Sequence, residues 1–140
     1  MKEKILVTGG AGYIGSHVGK LLGEAGYDVV VYDNLSTGFR SAVLAGELVV
    51  GDLDDSEKLD RLFAHHNFDG VMHFAGSIIV PESVEDPIKY YNNNTTNSLR
   101  LLDCCLRHKV NRFIFSSTAA VYGLGGESGS VSEGSPVNPI

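Results

Sequence analysis

Residues 5–17 read Ile5-Leu6-Val7-Thr8-Gly9-Gly10-Ala11-Gly12-Tyr13-Ile14-Gly15-Ser16-His17, and this stretch decides the fold. A short apolar run leads straight into glycines at 9, 10, 12 and 15, and a helical pattern follows. A loop of this layout holds a pyrophosphate at a helix N-terminus, where free backbone N–H groups and the helix dipole favour negative charge. Taken alone, Gly-x-Gly-x-x-Gly is also what a Gly-rich turn in an α/β domain looks like. Here it follows a strand, opens a helix, and is followed about 20 residues on by the acidic Asp33. That context points to a dinucleotide, with Gly9, Gly12, Tyr13, Ile14 and Gly15 as its loop contacts.

Working outward, strand and helix signals alternate. Lys4–Thr8 is a short apolar strand. Tyr13–Ala25 carries Ile14, Val18, Leu21, Leu22 and Ala25 at helical spacing, and Gly26 closes it. Asp28–Tyr32 is a Val-rich run of the kind buried on both faces. A polar loop from Asp33 to about Arg40 precedes a third strand at Glu47–Val50. Ser56 is placed to cap a helix running to about His65, with Leu59, Leu62 and Phe63 inward. Gly70–Phe74 is a fourth strand, and Pro87 opens a long helix to about His108 whose apolar positions include Ile88, Tyr91, Leu99, Leu102 and Leu106. Arg112–Ser116 is a fifth strand, and Gly123–Ile140 reads as loop.

Strands separated by helices imply parallel pairing through right-handed crossovers, hence an α/β, doubly wound, Rossmann-like parallel sheet of about five strands. Ligands of such sheets bind outside the carboxyl ends of the strands. The chemically notable segments all fall there: Thr8–Gly15, Asp33–Gly38, Asp52–Leu53, Phe74–Val80 and Ser116–Gly123. A length of 140 residues, 43% hydrophobic, suits one domain with a real core. The net charge of −6 argues against nucleic acid as a partner, and no apolar run reaches membrane-span length. Met1-Lys2-Glu3-Lys4 runs directly into the first strand with no signal peptide, and the chain reads as cytoplasmic. Cys104 and Cys105 are the two cysteines; as sequence neighbours on a helix they point apart, so two buried thiols are expected rather than a disulfide. No metal is expected on them, since no Cys-x-x-Cys or spaced His pair accompanies them.

Together the segments resemble the extended short-chain dehydrogenase/reductase superfamily, and most closely its UDP-glucose 4-epimerase branch. The resemblance rests on Thr8–His17, Asp33-Asn34-Leu35-Ser36-Thr37-Gly38, Gly51-Asp52-Leu53 and His73-Phe74-Ala75-Gly76. It continues through Glu82-Ser83-Val84, Tyr90-Tyr91, Asn93-Asn94 and Ser116–Gly123, so it covers essentially the whole chain. It implies NAD as cofactor. Asp33 would accept both ribose hydroxyls, and its charge would repel a 2′-phosphate, favouring NAD over NADP; the alternative is a carboxylate that starts a turn. Asn34, Leu35, Ser36 and Thr37 continue that cofactor segment, and Asp52 and Leu53 would meet the adenine. Phe74, Ala75 and Gly76 would pass their backbone close to the cofactor, which small residues at 75 and 76 permit. Asn93 resembles a cofactor-contacting asparagine, and Ser116 ends the fifth strand beside the cofactor. Thr118 stands where the family hydrogen-bonds the reacting sugar oxygen and helps move its proton, although hydroxyls there can also satisfy backbone groups. His73 reads as a packed strand-end histidine, His17 as a helix-face residue, and His65 and His66 as helix-end residues.

Two departures matter. Many epimerases carry a lysine two residues after Phe-Ala-Gly, where this chain has Ile78. The superfamily's acid–base pair is Tyr-x-x-x-Lys, and none of the tyrosines at 13, 27, 32, 90, 91 and 122 has a lysine four residues later. The expectation is therefore residues 1–140 as an NAD-binding domain that stops before the catalytic helix and lacks a substrate domain. In a complete enzyme, hydride would leave C4 of a UDP-sugar for NAD and return to the other face, interconverting UDP-glucose and UDP-galactose in galactose metabolism. The chain alone would be inactive, and its uncovered fifth-strand side would favour self-association or a complementary chain. The alternatives are a nucleotide-sugar dehydratase or decarboxylase of the same superfamily, the dehydratase being expected to carry acidic residues where this chain has Ala119 and Ala120, and a non-catalytic NAD-binding module.

Overall fold

A computed structural model describes residues 2–123 and 129–139 of the chain. Five strands, β1 (Lys4–Thr8), β2 (Asp28–Asp33), β3 (Glu47–Val50), β4 (Gly70–His73) and β5 (Phe113–Phe115), form one sheet. All four pairings are parallel and the order is β3-β2-β1-β4-β5. The order reverses between β1 and β4, so the loops leaving those two strands flank a crevice. The helices are α1 (Tyr13–Glu24), α2 (Ser56–His66), α3 (Val80–Glu85), α4 (Pro87–Tyr90) and α5 (Asn97–Arg107), with a π-turn over Tyr91–Thr96 joining the last two. Short 3-10 turns lie at Arg40–Ala42 and Ala119–Tyr122.

Side-chain alternation divides the core into two layers. Leu6, Val30 and Val71 stand level in three neighbouring strands and face one side. There they pack with Leu59, Leu62 and Phe63 of α2 and with Leu101, Cys104 and Cys105 of α5. Ile5, Val7, Val29 and Val31 face the other side, under Leu22 of α1 and Val43. Each fully buried Val or Leu stabilises by about 1.5–3 kcal/mol.

The expected strands are all present. Three features differ from expectation. First, α2 is capped by Asp55, whose carboxylate accepts from Lys58 N–H at 2.9 Å, so Ser56 is the first helical residue and not the cap. Second, the long helix is interrupted by the π-turn and preceded by the separate helix α3. Third, its inward face is Asn97, Leu101, Cys104 and Cys105, whereas Ile88, Tyr91, Leu99 and Leu106 are exposed, Leu106 to 77%. Both thiols are buried and free, and burial pushes Cys104 up to about 11 and Cys105 up to about 12. Of the expected terminal loop, residues 124–128 and Ile140 lie outside the described residues. No described helix is long and apolar enough to cross a membrane.

Candidate functional site

The glycine loop is closed by contacts that leave no room for side chains. Gly9 has a left-handed φ of 70°, and a Cβ there would lie 2.5 Å from Ala75 N. A Cβ on Gly15 would collide with the Gly9 carbonyl. The loop after β1 and the loop after β4 therefore touch backbone to backbone at the switch point. Gly12 caps α1 without a side-chain hydrogen bond, and no acidic residue lies in the first turn. The first N–H groups of α1 are thus left for an anion, beside the exposed Tyr13 and Ile14.

Asp33 does more than its sequence position suggested. It is 9% exposed at the end of β2, and its two oxygens accept Ala11 N–H at 2.9 Å and Leu35 N–H at 2.8 Å. One carboxylate therefore fixes both the glycine loop and its own turn, and each oxygen keeps a second lone pair for a ribose hydroxyl. Leu35 sits at φ 58°, inside a turn where Asn34 Oδ1 accepts from Ser36 N–H. Asn34 Nδ2 donates to Asp52 Oδ2 at 2.6 Å, linking the ends of β2 and β3. Tyr32 donates to the Asp52 carbonyl at 2.8 Å; burial, with help from Asp55, Asp52 and Asp54, pushes its phenol up to about 12 and keeps it a donor. Ser36 and Thr37 are exposed, while Phe39 N–H donates to the Ala11 carbonyl, folding this loop onto the glycine loop. The Leu53 side chain is packed in the core.

A buried hydrogen-bond chain links the two sides of the crevice. His73, 1% exposed, contacts Thr8 Oγ1 through Nδ1 at 2.6 Å and Ser98 Oγ through Nε2 at 2.8 Å. Ser98 spends its proton on the Asn94 carbonyl, so its oxygen accepts from His73 and the ring proton resides on Nε2. Desolvation holds His73 down to about 4, so the ring is neutral. Phe74 and Ala75 follow it, and Asn93 and Asn94 both bond Ser77. Ile78 is 87% exposed. Its loop is fixed by Tyr90, whose hydroxyl accepts from Ile79 N–H at 3.0 Å and lies 2.7 Å from Glu82, itself paired with Lys89. Ser116 N–H donates to the His73 carbonyl. Thr118 is exposed, and its oxygen accepts from Ala120 N–H at 3.2 Å, capping the last 3-10 turn.

Of the residues singled out from sequence, those of the glycine loop, Asp33–Thr37, Asp52, Phe74–Gly76 and Asn93 thus gather around the carboxyl ends of β1 to β4. Thr8, Ser77 and Asn94 stood in segments singled out from sequence but had no role of their own there, and Ser98 was missed. Only the His73 and Asn93 neighbourhoods could have pointed to them, because their partners are 16 to 65 residues away in sequence. Elsewhere, Asp60, Cys104 and His108 bring possible ligand atoms within 4.8 Å of one another. Arg107 already lies on that Asp60 carboxylate beside His108 Nε2, so the group reads as a tie between α2 and α5.

A doubly wound parallel sheet with a glycine loop packed backbone to backbone and a helix N-terminus without a side-chain cap at its switch point, and a carboxylate at the tip of β2, defines a dinucleotide-binding domain. The residues present fit a dinucleotide, because the loop's close approach leaves open the N–H groups of α1. Residues 5–140 match the NAD dependent epimerase/dehydratase family, and the chain belongs to it. It is 55% identical over 138 residues to a UDP-glucose 4-epimerase of Azospirillum brasilense, covering 98% of this chain and 39% of that protein. It is 46% identical to a probable UDP-arabinose 4-epimerase of Arabidopsis thaliana, covering 85% of this chain and 31% of that one. Among solved structures, the UDP-glucose 4-epimerase of Brucella ovis in complex with NAD superposes with a TM-score of 0.86 at 48% identity, covering 99% of this chain and 42% of its own. The chain therefore spans well under half the length of these relatives.

Proposed function

We propose that this chain is the NAD-binding part of a UDP-sugar 4-epimerase. The observation that supports it most is the meeting of three cofactor segments at the switch point: the Asp33 carboxylate binds Ala11 of the glycine loop and Leu35 of its own turn, and Gly9 of that loop abuts Ala75 after β4. In this reading the N–H groups opening α1 hold the pyrophosphate. Asp33 accepts the ribose hydroxyls and disfavours a 2′-phosphate, and Asn34, Leu35, Ser36, Thr37, Asp52 and Leu53 border the adenosine. Phe74–Gly76, Asn93 and Ser116 line the nicotinamide half. Bound NAD would supply the reversible hydride acceptor for C4 of the sugar.

Thr118 is the one residue of the chain read as touching the reacting sugar. Its oxygen accepts from Ala120 N–H, which leaves its own proton free to donate to a sugar oxygen. No tyrosine of these 140 residues has a lysine four positions on, so the acid–base pair of the whole enzyme comes from polypeptide outside them. The substrate is read as UDP-glucose and UDP-galactose, the setting as cytoplasmic galactose metabolism, and the 140-residue unit as inactive by itself. The groove between α5 and β5, about 340 Å³ and lined by Leu99, Leu102, Phe113 and Phe115, supports self-association or pairing with a complementary chain.

Titration of the purified chain with NAD and NADP tests the cofactor reading. One equivalent of NAD should bind, with NADP at least about tenfold weaker and the preference reduced in Asp33→Asn. Equal affinity for the two dinucleotides, or none for NAD, would refute it. Incubation with UDP-galactose and NAD should yield no UDP-glucose, and measurable turnover would show that the chain carries its own acid–base machinery.

A further inference from the structure

The π-turn gathers three hydrogen bonds onto one residue. Asn94 Oδ1 accepts from Ser77 N–H at 2.8 Å, and Asn94 Nδ2 donates to the Ser77 carbonyl at 2.9 Å. Asn93 Nδ2 donates to Ser77 Oγ at 2.8 Å and to Asn94 Oδ1 at 3.3 Å. A π-turn is a wide single turn, and such turns concentrate at functional sites. Here it lets two consecutive asparagines reach the same loop residue.

These bonds settle which way each amide faces. A backbone N–H can only donate and a backbone carbonyl can only accept, so the Ser77 peptide fixes the oxygen and nitrogen ends of Asn94. The Asn94 oxygen in turn faces Asn93, so the Asn93 atom opposite it must be the nitrogen; the reversed amide would set two carbonyl oxygens together. Both Asn93 amide hydrogens are then used, one on Ser77 Oγ and one on Asn94. The acceptor Oδ1 is the end left over, on a half-buried residue beside the loop that leaves β4 at the switch point.

We propose that Ser77 and Asn94 are positioning residues that lock the Asn93 amide with Oδ1 toward the cleft, so that this position recognises a hydrogen-bond donor of the bound dinucleotide. The matching groups are a ribose hydroxyl or a carboxamide N–H, and phosphate oxygens are excluded because they only accept. The proposal rests on the NAD reading of the site and assigns it a polarity.

The test has two arms on the purified chain. In the ligand-free protein, nitrogen-edited NMR should show the Asn93 side-chain NH₂ pair shifted and slow to exchange with water, and Ser77→Ala should return one of its protons to solvent-like behaviour. In NAD titrations, Ser77→Ala should weaken binding about tenfold, while Ser77→Thr, which restores the hydroxyl, should stay within about threefold of the parent. The thermal midpoints of all three should agree, which separates positioning from loss of fold. Solvent-like exchange of the Asn93 pair in the parent chain, or unchanged affinity in Ser77→Ala, would overturn the proposal. Failure of the parent chain to bind NAD at all would instead overturn the cofactor reading and the recognition built on it, with the NMR arm still deciding the orientation of the amide.

Discussion

At the scale of single residues, His73 shows how burial sets chemistry. Its ring lies between Thr8 and Ser98, with desolvation holding it near 4 and no carboxylate among the groups bonded to it. In the unfolded chain the same ring would protonate near its ordinary value of 6.5. The unfolded state therefore binds the extra proton first as pH falls, and the folded state loses stability between about pH 6.5 and pH 4. The full loss is about 3 kcal/mol. Denaturant titrations across that window should show it, and His73→Gln should flatten the slope; His66, also lowered by burial, contributes a part of the same sign. An identical slope in the variant would mean that other groups drive the acid sensitivity. The sequence marked His73 as packed. Its partners, 65 positions before and 25 after, became visible only when β1, β4 and α5 were brought together.

At the scale of elements, caps and turns were the least legible features. Ser56 is an acceptable cap by residue type, but Asp54-Asp55-Ser56 offers three in a row, and local preference cannot choose among them. The structure gives the role to Asp55. Asp55→Ala should cost about 1 kcal/mol in denaturant unfolding, and Ser56→Ala only a few tenths. Equal losses, or the reverse order, would move the cap. The long helix illustrates a second limit. Its apolar residues suggested the face of Leu99, Leu102 and Leu106, whereas Leu101, Cys104 and Cys105 turn inward. Two apolar stripes share that helix, and periodicity alone does not say which one the sheet covers. The π-turn shifts the phase between α4 and α5 and left no mark in composition beyond the polar run Asn92–Thr96.

At the scale of the whole molecule, the sheet ends at β5 with Ile114 and Phe115 exposed, beside the groove under Leu99 and Leu102. A right-handed crossover continuing past β5 in the same direction as β4 to β5 would place its helix on the α5 side, over that groove. An uncovered edge with apolar neighbours is a pairing surface. Sedimentation of the purified chain should show concentration-dependent association, and Leu102→Lys should shift it toward monomer with little change in NAD affinity. A compact monomer at all concentrations would refute self-association.

The order of elements, the parallel pairing and the cofactor loops were determined by the sequence itself. Alternating β and α periodicity, and glycines where backbones must touch, are local signals that neighbouring residues carry. The tertiary structure decided which helix stripe is buried, that the Asp33 carboxylate also holds the glycine loop, and that the Asn93 amide is hydrogen-bonded to Ser77 and Asn94. Those outcomes depend on core packing and on hydrogen bonds across the fold, 22 residues apart for Asp33 and Ala11 and 16 for Asn93 and Ser77, whose meeting is fixed by strand order and helix phase.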